Sequence, residues 1–259
     1  SAVVNANPVI ITSGSNSPVC VNNPLTFTGA ATGTATPLSY SWAGPDTYGS
    51  TGQNPVISSA TLDAGGTYTL MVTDANSCGD TVTTDVVVNA LPAITVASNT
   101  SPVCADITFG LNSAATGSGA IGYSWTGPNS FSATDQSPSV SSAPLAAGGI
   151  YTVVATDANN CSAAATTMAT VYSLPVNTSI SSNTPVCEFQ SLSLLTDVTG
   201  GTPSYTYSWT GPKGFVSADE DPLVTASATT LEEGTYSLTV TDANNCTATG
   251  ANTTAVTVY

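Results

Sequence analysis

The sequence predicts an all-β protein made of three tandem antiparallel β-sandwiches, and two observations carry this prediction. First, three short motifs each occur three times, at intervals of 83 to 85 residues. Second, each interval contains short segments in which apolar and polar residues alternate, separated by clusters of Gly, Pro, Asn and Asp. The motifs Pro-Val-Cys, Tyr-Ser-Trp and Thr-Asp-Ala-Asn-x-Cys end at Cys20, Cys104 and Cys187, at Trp42, Trp125 and Trp209, and at Cys78, Cys161 and Cys246. Short strands in a repeating unit of about 84 residues are typical of a sandwich.

The motifs divide the chain into three predicted repeats, at residues 8–91, 92–174 and 175–259. Residues 1–7 precede the first repeat. Their segment Val3-Val4-Asn5-Ala6 is identical to Val87-Val88-Asn89-Ala90, which closes the first repeat. Residues 1–7 are therefore expected to be the tail of a preceding repeat or a strand used in assembly.

The charge of the chain restricts its partners. It carries 16 acidic residues against a single basic residue, Lys213, and it contains no His. The formal net charge of -15 repels phosphate groups and anionic lipid headgroups, so no nucleic acid partner is expected. No apolar segment approaches the roughly 20 residues that a membrane-spanning helix needs, so no direct membrane insertion is expected either.

Six cysteines give the first indication of location. They lack the C-x-x-C spacing that is typical of zinc and redox sites. We interpret them as disulfide-forming residues of an oxidising compartment, which predicts an extracellular protein.

The motifs keep one order within each repeat. A cysteine is followed by an alternating strand, by Tyr-Ser-Trp-x-Gly-Pro, by Gly-x-Tyr, and then by Thr-Asp-Ala-Asn-x-Cys. This order resembles the immunoglobulin-like and PKD-like tandem repeats of large secreted surface proteins of Bacteroidota-type bacteria, and the resemblance covers the whole chain. It implies sandwiches stacked head to tail as a rod. It also implies two sets of core anchors, on strand C at Trp42, Trp125 and Trp209 and on strand F at Tyr68, Tyr151 and Tyr236.

The resemblance also places the two cysteines of a repeat at opposite ends of its sandwich. With that placement, a bridge within a repeat would have to span more than about 20 Å, whereas a disulfide needs Cα atoms within about 7 Å. We therefore expect Cys20 to pair with Cys161, and Cys104 with Cys246, each across a junction between repeats.

Junction pairing would leave Cys78 and Cys187 for disulfides with a neighbouring unit. That unit would be the next repeat of a longer protein or another copy of this chain. Three bridges, each within one repeat, are the alternative if the strand order differs from the expected one.

The composition argues against enzymatic chemistry, because Ser-His-Asp and Cys-His arrangements require a histidine. Glu232 and Glu233 are a possible carboxylate pair, but the other repeats carry Asp63-Ala64 and Ala146-Ala147 at this place, which favours a turn. The sequence predicts no enzyme.

Calcium is the one cofactor that the sequence suggests. The adjacent carboxylates Asp219, Glu220 and Asp221 are a candidate site, because Ca²⁺ prefers clustered oxygen ligands. The aspartates of the Thr-Asp-Ala-Asn motifs are instead expected to cap their own turns. These are Asp74, Asp157 and Asp242.

These expectations favour a structural function. The chain is expected to be part of an extracellular rod, as a repeat segment or subunit of a cell-surface adhesin, stalk or filament, stiffened by disulfides between repeats. Its expected partners are neighbouring repeats or copies of itself, head to tail, with surface glycans as further candidates. The alternatives are a glycan- or cell-binding region of a surface adhesin and an accessory region of a secreted enzyme.

Overall fold

The computed structural model describes residues 5–250 and 252–259. The strands of the first repeat are β1 (Val9–Ser15), β2 (Val19–Cys20), β3 (Leu25–Thr32), β4 (Ser39–Ala43), β5 (Gly49–Ser50), β6 (Val56–Ile57), β7 (Gly66–Thr73), β8 (Gly79–Val86) and β9 (Val88–Asn89). Those of the second are β10 (Ala93–Asn99), β11 (Val103–Cys104), β12 (Phe109–Thr116), β13 (Gly122–Gly127), β14 (Phe131–Ala133), β15 (Ser139–Val140), β16 (Gly149–Thr156), β17 (Ser162–Ala169) and β18 (Val171–Tyr172). Those of the third are β19 (Pro175–Ser182), β20 (Leu192–Gly200), β21 (Thr206–Thr210), β22 (Val216–Ser217), β23 (Leu223–Thr225), β24 (Gly234–Thr241), β25 (Thr249–Gly250) and β26 (Thr253–Val256). Short 3₁₀ helices lie at Leu62–Ala64, Leu145–Ala147, Pro212–Gly214 and Thr230–Glu232.

The strands form the sheets of three sandwiches. The first contains the sheets β1-β3-β6 and β5-β4-β7-β8, and the second contains β10-β12-β15 and β14-β13-β16-β17. The third contains β23-β20-β19-β25 and β22-β21-β24-β26. Short parallel pairs, β2 with β9 and β11 with β18, accompany the first two. The predicted all-β fold of three tandem antiparallel sandwiches is thereby confirmed.

Contacts between residues divide the chain into two compact units. Unit 1 comprises Ser1–Val96, Ala114–Ser124 and Val153–Ala165, and unit 2 comprises Ala97–Ser113, Trp125–Thr152 and Thr166–Tyr259. The division passes through the second repeat, so the repeat boundaries stay predictions. Of the predicted tail or assembly strand at 1–7, residues 1–4 lie outside the described residues, and residues 5–7 are exposed and belong to no strand.

Alternation along the strands builds the core of unit 1. In β7 the buried residues Tyr68, Leu70 and Val72 alternate with more exposed neighbours, and Leu70 lies opposite Trp42 on β4. Phe27 of β3 contacts both aromatic residues, with ring centroids 5.1 Å from Trp42 and 4.5 Å from Tyr68. Rings at these separations pack favourably in a core.

The three tryptophans are fully buried, in the positions that the sequence assigned to core anchors. A buried indole N–H needs an acceptor. Each Nε1 donates to a backbone carbonyl in the loop that follows β5, β14 or β22, at 3.2 Å for Trp42 to Gln53, 3.3 Å for Trp125 to Gln136 and 3.1 Å for Trp209 to Asp219. The tryptophans thus hold that loop against the core.

The tyrosines of strand F are equally buried and fix the 3₁₀ turn that precedes them. Their hydroxyls donate to the carbonyl oxygen four residues earlier, at 2.9 Å for Tyr68 to Ala64, 2.9 Å for Tyr151 to Ala147 and 3.0 Å for Tyr236 to Glu232. Burial raises the pKa of all three hydroxyls, which keeps them protonated as donors.

The glycine of Trp-x-Gly-Pro is explained by the same tyrosine. A Cβ atom at Gly44 would overlap the ring of Tyr68, and the equivalent glycines face the equivalent tyrosines. The following proline lies against Gly66, whose φ of +138° favours glycine. The Gly-Pro and Gly-x-Tyr motifs are therefore two sides of one contact.

The last strand of the third repeat departs from the pattern. In the first repeat β8 pairs with β7 over its whole length, but in the third β26 pairs with β24 and β25 pairs with β19 in parallel. Two extra residues cause the division, because 13 positions separate Cys246 from Tyr259 where 11 separate Cys161 from Tyr172.

Candidate functional site

The Thr-Asp-Ala-Asn-x-Cys motif forms the turn that presents the second cysteine of each repeat. One carboxylate oxygen of Asp157 accepts the backbone N–H groups of Asn159 and Cys161, at 2.9 and 3.0 Å. The other oxygen accepts the N–H of Ser118 at 3.3 Å. Asp157 thus caps its own turn, as the sequence predicts, and holds Cys161 in a buried position.

The turn of the third repeat has the same construction. The carboxylate of Asp242 accepts the N–H groups of Asn244, Cys246 and Thr202, each at 2.9 Å. Burial alone would raise the pKa of Asp242, but these three hydrogen bonds outweigh it and lower the pKa. The ionised carboxylate is therefore the form that organises the turn.

The first repeat repeats this turn with one difference. One oxygen of Asp74 accepts the N–H groups of Asn76 and Cys78, each at 2.9 Å. The second oxygen is buried and has no hydrogen-bond partner among residues 5–250 and 252–259. Ser118 and Thr202 supply that bond in the other repeats.

A parallel pairing positions the first cysteine of each repeat. The N–H of Val19 donates to Val87 and that of Val21 to Asn89, at 3.1 and 2.9 Å, so that Cys20 is held between two backbone hydrogen bonds. The same two bonds flank Cys104, from Val103 to Thr170 and from Ala105 to Tyr172, and Cys187, from Val186 to Thr257 and from Glu188 to Tyr259. The three first cysteines therefore have the same backbone setting.

The structure contains two disulfides. Cys20 is bonded to Cys161, and Cys104 to Cys246, each with Cα atoms 5.6 Å apart. This separation lies in the usual range for disulfides. Under the predicted boundaries each bridge joins the first cysteine of one repeat to the second cysteine of the next. Each bridge lies within one compact unit.

Two cysteines are free in the described part of the chain. Cys78 is half-buried and follows the Asp74 turn, and Cys187 is exposed. Cys78 corresponds to the bridged Cys161 and Cys246, and Cys187 corresponds to the bridged Cys20 and Cys104. The structure therefore leaves one cysteine of each type without a partner.

Phe189 is a feature of this site that was not predicted from the sequence. The residue two places after the first cysteine has a left-handed conformation in every repeat, with φ of 70° at Asn22, 66° at Asp106 and 68° at Phe189. Asn and Asp tolerate this region, but a bulky side chain pays a cost of about 1–2 kcal/mol there. Phe189 is nevertheless 72% exposed. Its place in the motif, where the other repeats have Asn and Asp, was the available signal.

The proposed calcium site at Asp219, Glu220 and Asp221 is not formed. Among the described residues no group of three carboxylates, thiolates or imidazoles could hold a metal ion. The Asp219 carboxylate accepts the hydroxyl of Ser217 at 3.2 Å, and the Asp221 carboxylate accepts the N–H of Thr196 at 2.8 Å. The carboxylates of Asp219 and Asp221 thus bond to different groups, so adjacency in sequence does not bring the three side chains together around one ion.

Glu220 contacts a tyrosine instead of an ion. Burial, together with the hydrogen bond and the charge of Glu220, raises the pKa of Tyr207 to about 12. Glu220 stands at the position of Gln53 and Gln136, whose side-chain amides donate to the carbonyls of Gly29 and Ser113 at 2.8 Å. This link between sheets was not predicted, although both glutamines follow the tryptophan by eleven residues.

Glu232 lies in a turn, where it is buried and caps the 3₁₀ helix Thr230–Glu232. Its carboxylate accepts Lys213 Nζ at 2.7 Å and the N–H and hydroxyl of Thr229 at 2.9 and 2.7 Å. The Lys213 hydrogen bond, followed by those from Thr229, lowers the pKa of Glu232 to about 2. The only basic residue of the chain thus neutralises a buried carboxylate.

This carboxylate predicts a pH dependence of stability. Because the folded pKa lies near 2 and the usual value is 4.5, the stabilisation is complete above about pH 4.5 and is lost as pH falls toward 2. We expect Glu232→Gln to lower the thermal unfolding midpoint at pH 7, and the difference from the wild type to disappear near pH 2. The control is Glu233→Gln, an exposed neighbour, which should change the midpoint little at any pH. A constant difference between wild type and Glu232→Gln from pH 7 to pH 2 would contradict this account.

No helix among residues 5–250 and 252–259 has the length and apolar character needed to cross a membrane.

Comparisons with known proteins identify the class of fold. Titin domains I67–I69, solved as an E-to-A mutated variant, match 99% of this chain and are covered in full, with a TM-score of 0.54 and 17% identity. The N-terminal eight Ig domains of Down Syndrome Cell Adhesion Molecule match 98% of this chain, with a TM-score of 0.56 and 13% identity. This chain covers 37% of that eight-domain structure. The chain is therefore a tandem array of immunoglobulin-like β-sandwiches.

Similarity in sequence adds nothing finer. No family model matches the chain, and no curated protein matches it. At identities of 13% and 17% the two structural matches define the fold alone.

Proposed function

We propose that this chain is a structural, non-enzymatic segment of an extracellular rod, in a cell-surface adhesin, stalk or filament of the Bacteroidota type. The observation that carries the proposal is the pair of disulfides Cys20–Cys161 and Cys104–Cys246, which join the first cysteine of one predicted repeat to the second cysteine of the next. Disulfides of this kind persist in oxidising compartments, which supports an extracellular location.

The bridges supply the stiffness at the junctions that a rod of small domains otherwise lacks. Two domains joined by a linker alone move relative to each other by default, because their mutual interface is small. A disulfide beside the linker adds a second fixed point and restricts bending at the junction. A stack of such repeats gives a stiff spacer whose length increases with the number of repeats.

The two free cysteines support continuation of the rod. Cys187 has the same flanking hydrogen bonds as the bridged Cys20 and Cys104, and Cys78 follows the same aspartate turn as the bridged Cys161 and Cys246. Cys187 of one copy and Cys78 of the next are thus the two halves of one further bridge. We propose that copies of this chain join head to tail through this bond.

A disulfide map tests the proposal. The oxidised protein is alkylated, digested without reduction and analysed by mass spectrometry. We expect peptides that join Cys20 to Cys161, Cys104 to Cys246 and Cys187 to Cys78. Before digestion, non-reducing electrophoresis should show a ladder of covalent multimers joined through Cys187 and Cys78. A Cys187→Ser variant is the control, because it should keep the two internal bridges and lose the ladder.

The opposite outcome is also defined. Bridges confined to single repeats would reject the rod, leave three independent modules on flexible linkers, and favour a binding or spacer region of a larger surface protein.

A further inference from the structure

We propose that Phe189 selects the next copy of this chain, by packing against the face that carries Asn7 and Cys78. The inference rests on the head-to-tail function proposed above and specifies what the junction between copies recognises.

The side chain at position 189 differs in polarity from the equivalent side chains that follow the bridged cysteines Cys20 and Cys104. Asn22 and Asp106, which follow Cys20 and Cys104, are polar, whereas Phe189, which follows the free Cys187, is large, apolar and 72% exposed. All three share the left-handed backbone, so the position itself is the same. An exposed aromatic side chain in an unfavourable conformation is costly to the isolated chain, and burial against a partner would offset that cost.

An internal junction shows what the equivalent position faces. In unit 2 a cleft of about 410 Å³ is lined by Asp106 and Ile107 on one side and by Leu174, Asn245 and Ala248 on the other. Leu174 belongs to the linker before Pro175, and Leu91 has the same place before Pro92. At the junctions inside the chain, the linker therefore supplies a leucine and the position after the first cysteine supplies a small polar residue.

The linker residue before the first repeat also differs in polarity from its equivalents, Leu91 and Leu174. Asn7, not leucine, precedes Pro8, and it is exposed. It lines an open cleft of about 320 Å³ together with Gly33 and Thr34. The N–H of Ala75, in the turn that holds Cys78, donates to Ala35 of the same loop at 3.5 Å. Asn7 and Cys78 thus belong to one face of the first repeat.

The apolar residue at position 189 and the polar residue at position 7 complement each other. Phe189 of one copy, placed over Asn7 of the next, would fill the space that leucine fills at the internal junctions. Two polar residues, Asn or Asp opposite Asn, would leave that space open to water. The apolar Phe189 therefore favours the head-to-tail pairing of the free ends over a pairing of two polar faces.

The test forms one defined junction from two single-cysteine ends. The donor chain carries Cys78→Ser and keeps Cys187, and the acceptor chain carries Cys187→Ser and keeps Cys78. The donor is prepared with and without Phe189→Asn, and the acceptor with and without Asn7→Leu. The four combinations are equilibrated in a glutathione redox buffer, and the disulfide-linked heterodimer is measured by non-reducing electrophoresis.

The four combinations form a double-mutant cycle of Phe189→Asn and Asn7→Leu. Phe189→Asn alone should lower the equilibrium constant for formation of the heterodimer by about tenfold or more, as expected when one large apolar side chain leaves a contact. Asn7→Leu on the acceptor should restore most of that loss for the Phe189→Asn donor, because the pair then resembles an internal junction. Val216→Asn on the donor is the matched control, since Val216 is 74% exposed in the same repeat and should have no effect.

Two failures are distinguishable. Absence of any Cys187–Cys78 heterodimer between the unmodified ends would reject head-to-tail self-association and with it the proposed function. A heterodimer that forms equally well with Phe and Asn at position 189, or donor homodimers in equal yield, would overturn the role of Phe189 and leave the proposed function standing. Circular dichroism of each chain before mixing establishes that the substituted proteins are folded.

Discussion

Trp209→Ala is expected to destabilise the third sandwich by about 3–5 kcal/mol, the usual cost of truncating a fully buried tryptophan. Trp209 is completely buried, packs between the sheets and donates to the carbonyl of Asp219. Its loss removes apolar burial and frees the loop that carries Asp219. Urea unfolding followed by far-ultraviolet circular dichroism measures the effect.

Val216→Ala is the control for this experiment, because Val216 is exposed in the same repeat. It should change the free energy of unfolding by less than about 0.5 kcal/mol. A loss below about 1 kcal/mol for Trp209→Ala would mean that the indole does not form the core of this sandwich.

Removal of one junction disulfide is expected to have an effect of similar size. Cys104 and Cys246 are 142 residues apart in sequence, and a closed loop of that length restricts the unfolded chain strongly. In the chain-entropy account the bridge contributes about 4–5 kcal/mol. The double variant Cys104→Ala with Cys246→Ala should therefore lower the urea midpoint well below that of the oxidised wild type.

The matched control uses the other pair of cysteines. Cys78→Ala with Cys187→Ala also removes two thiols but breaks no bridge in the structure. It should leave the monomer's unfolding free energy almost unchanged, measured on the monomeric fraction. Equal midpoints for the two double variants would show that Cys104 and Cys246 are not bonded in the folded protein.

The fold was predictable because it depends on patterns that recur. Alternation in segments such as β7, and the repetition of Trp42 and Tyr68 in each repeat, both follow from packing two sheets face to face. The cysteine pairing was predictable only through the strand order that the resemblance supplied, and the structure contains the junction pairs, not the alternative pairs within repeats.

Features that depend on a single side chain were not predictable. The Lys213–Glu232 ion pair joins two turns 19 residues apart, and no local pattern brings them together. The acidic run at 219–221 suggested a shared ion site, but the carboxylates of Asp219 and Asp221 bond to different groups, the Ser217 hydroxyl and the Thr196 N–H. Phe189 has no strand pattern around it, so its exposure became evident only with the backbone conformation.

The two disulfides also determine how the chain responds to cleavage. Because Cys20 is bonded to Cys161 and Cys104 to Cys246, the loops that they close overlap. Every peptide bond between residues 20 and 246 therefore lies within at least one loop, and a single cut there cannot separate the molecule into two pieces. Bridges within the repeats would instead leave residues 78–104 and 161–187 outside every loop, so that a single cut there would separate the molecule. The observed pairing thus extends this protection across the connections between the predicted repeats.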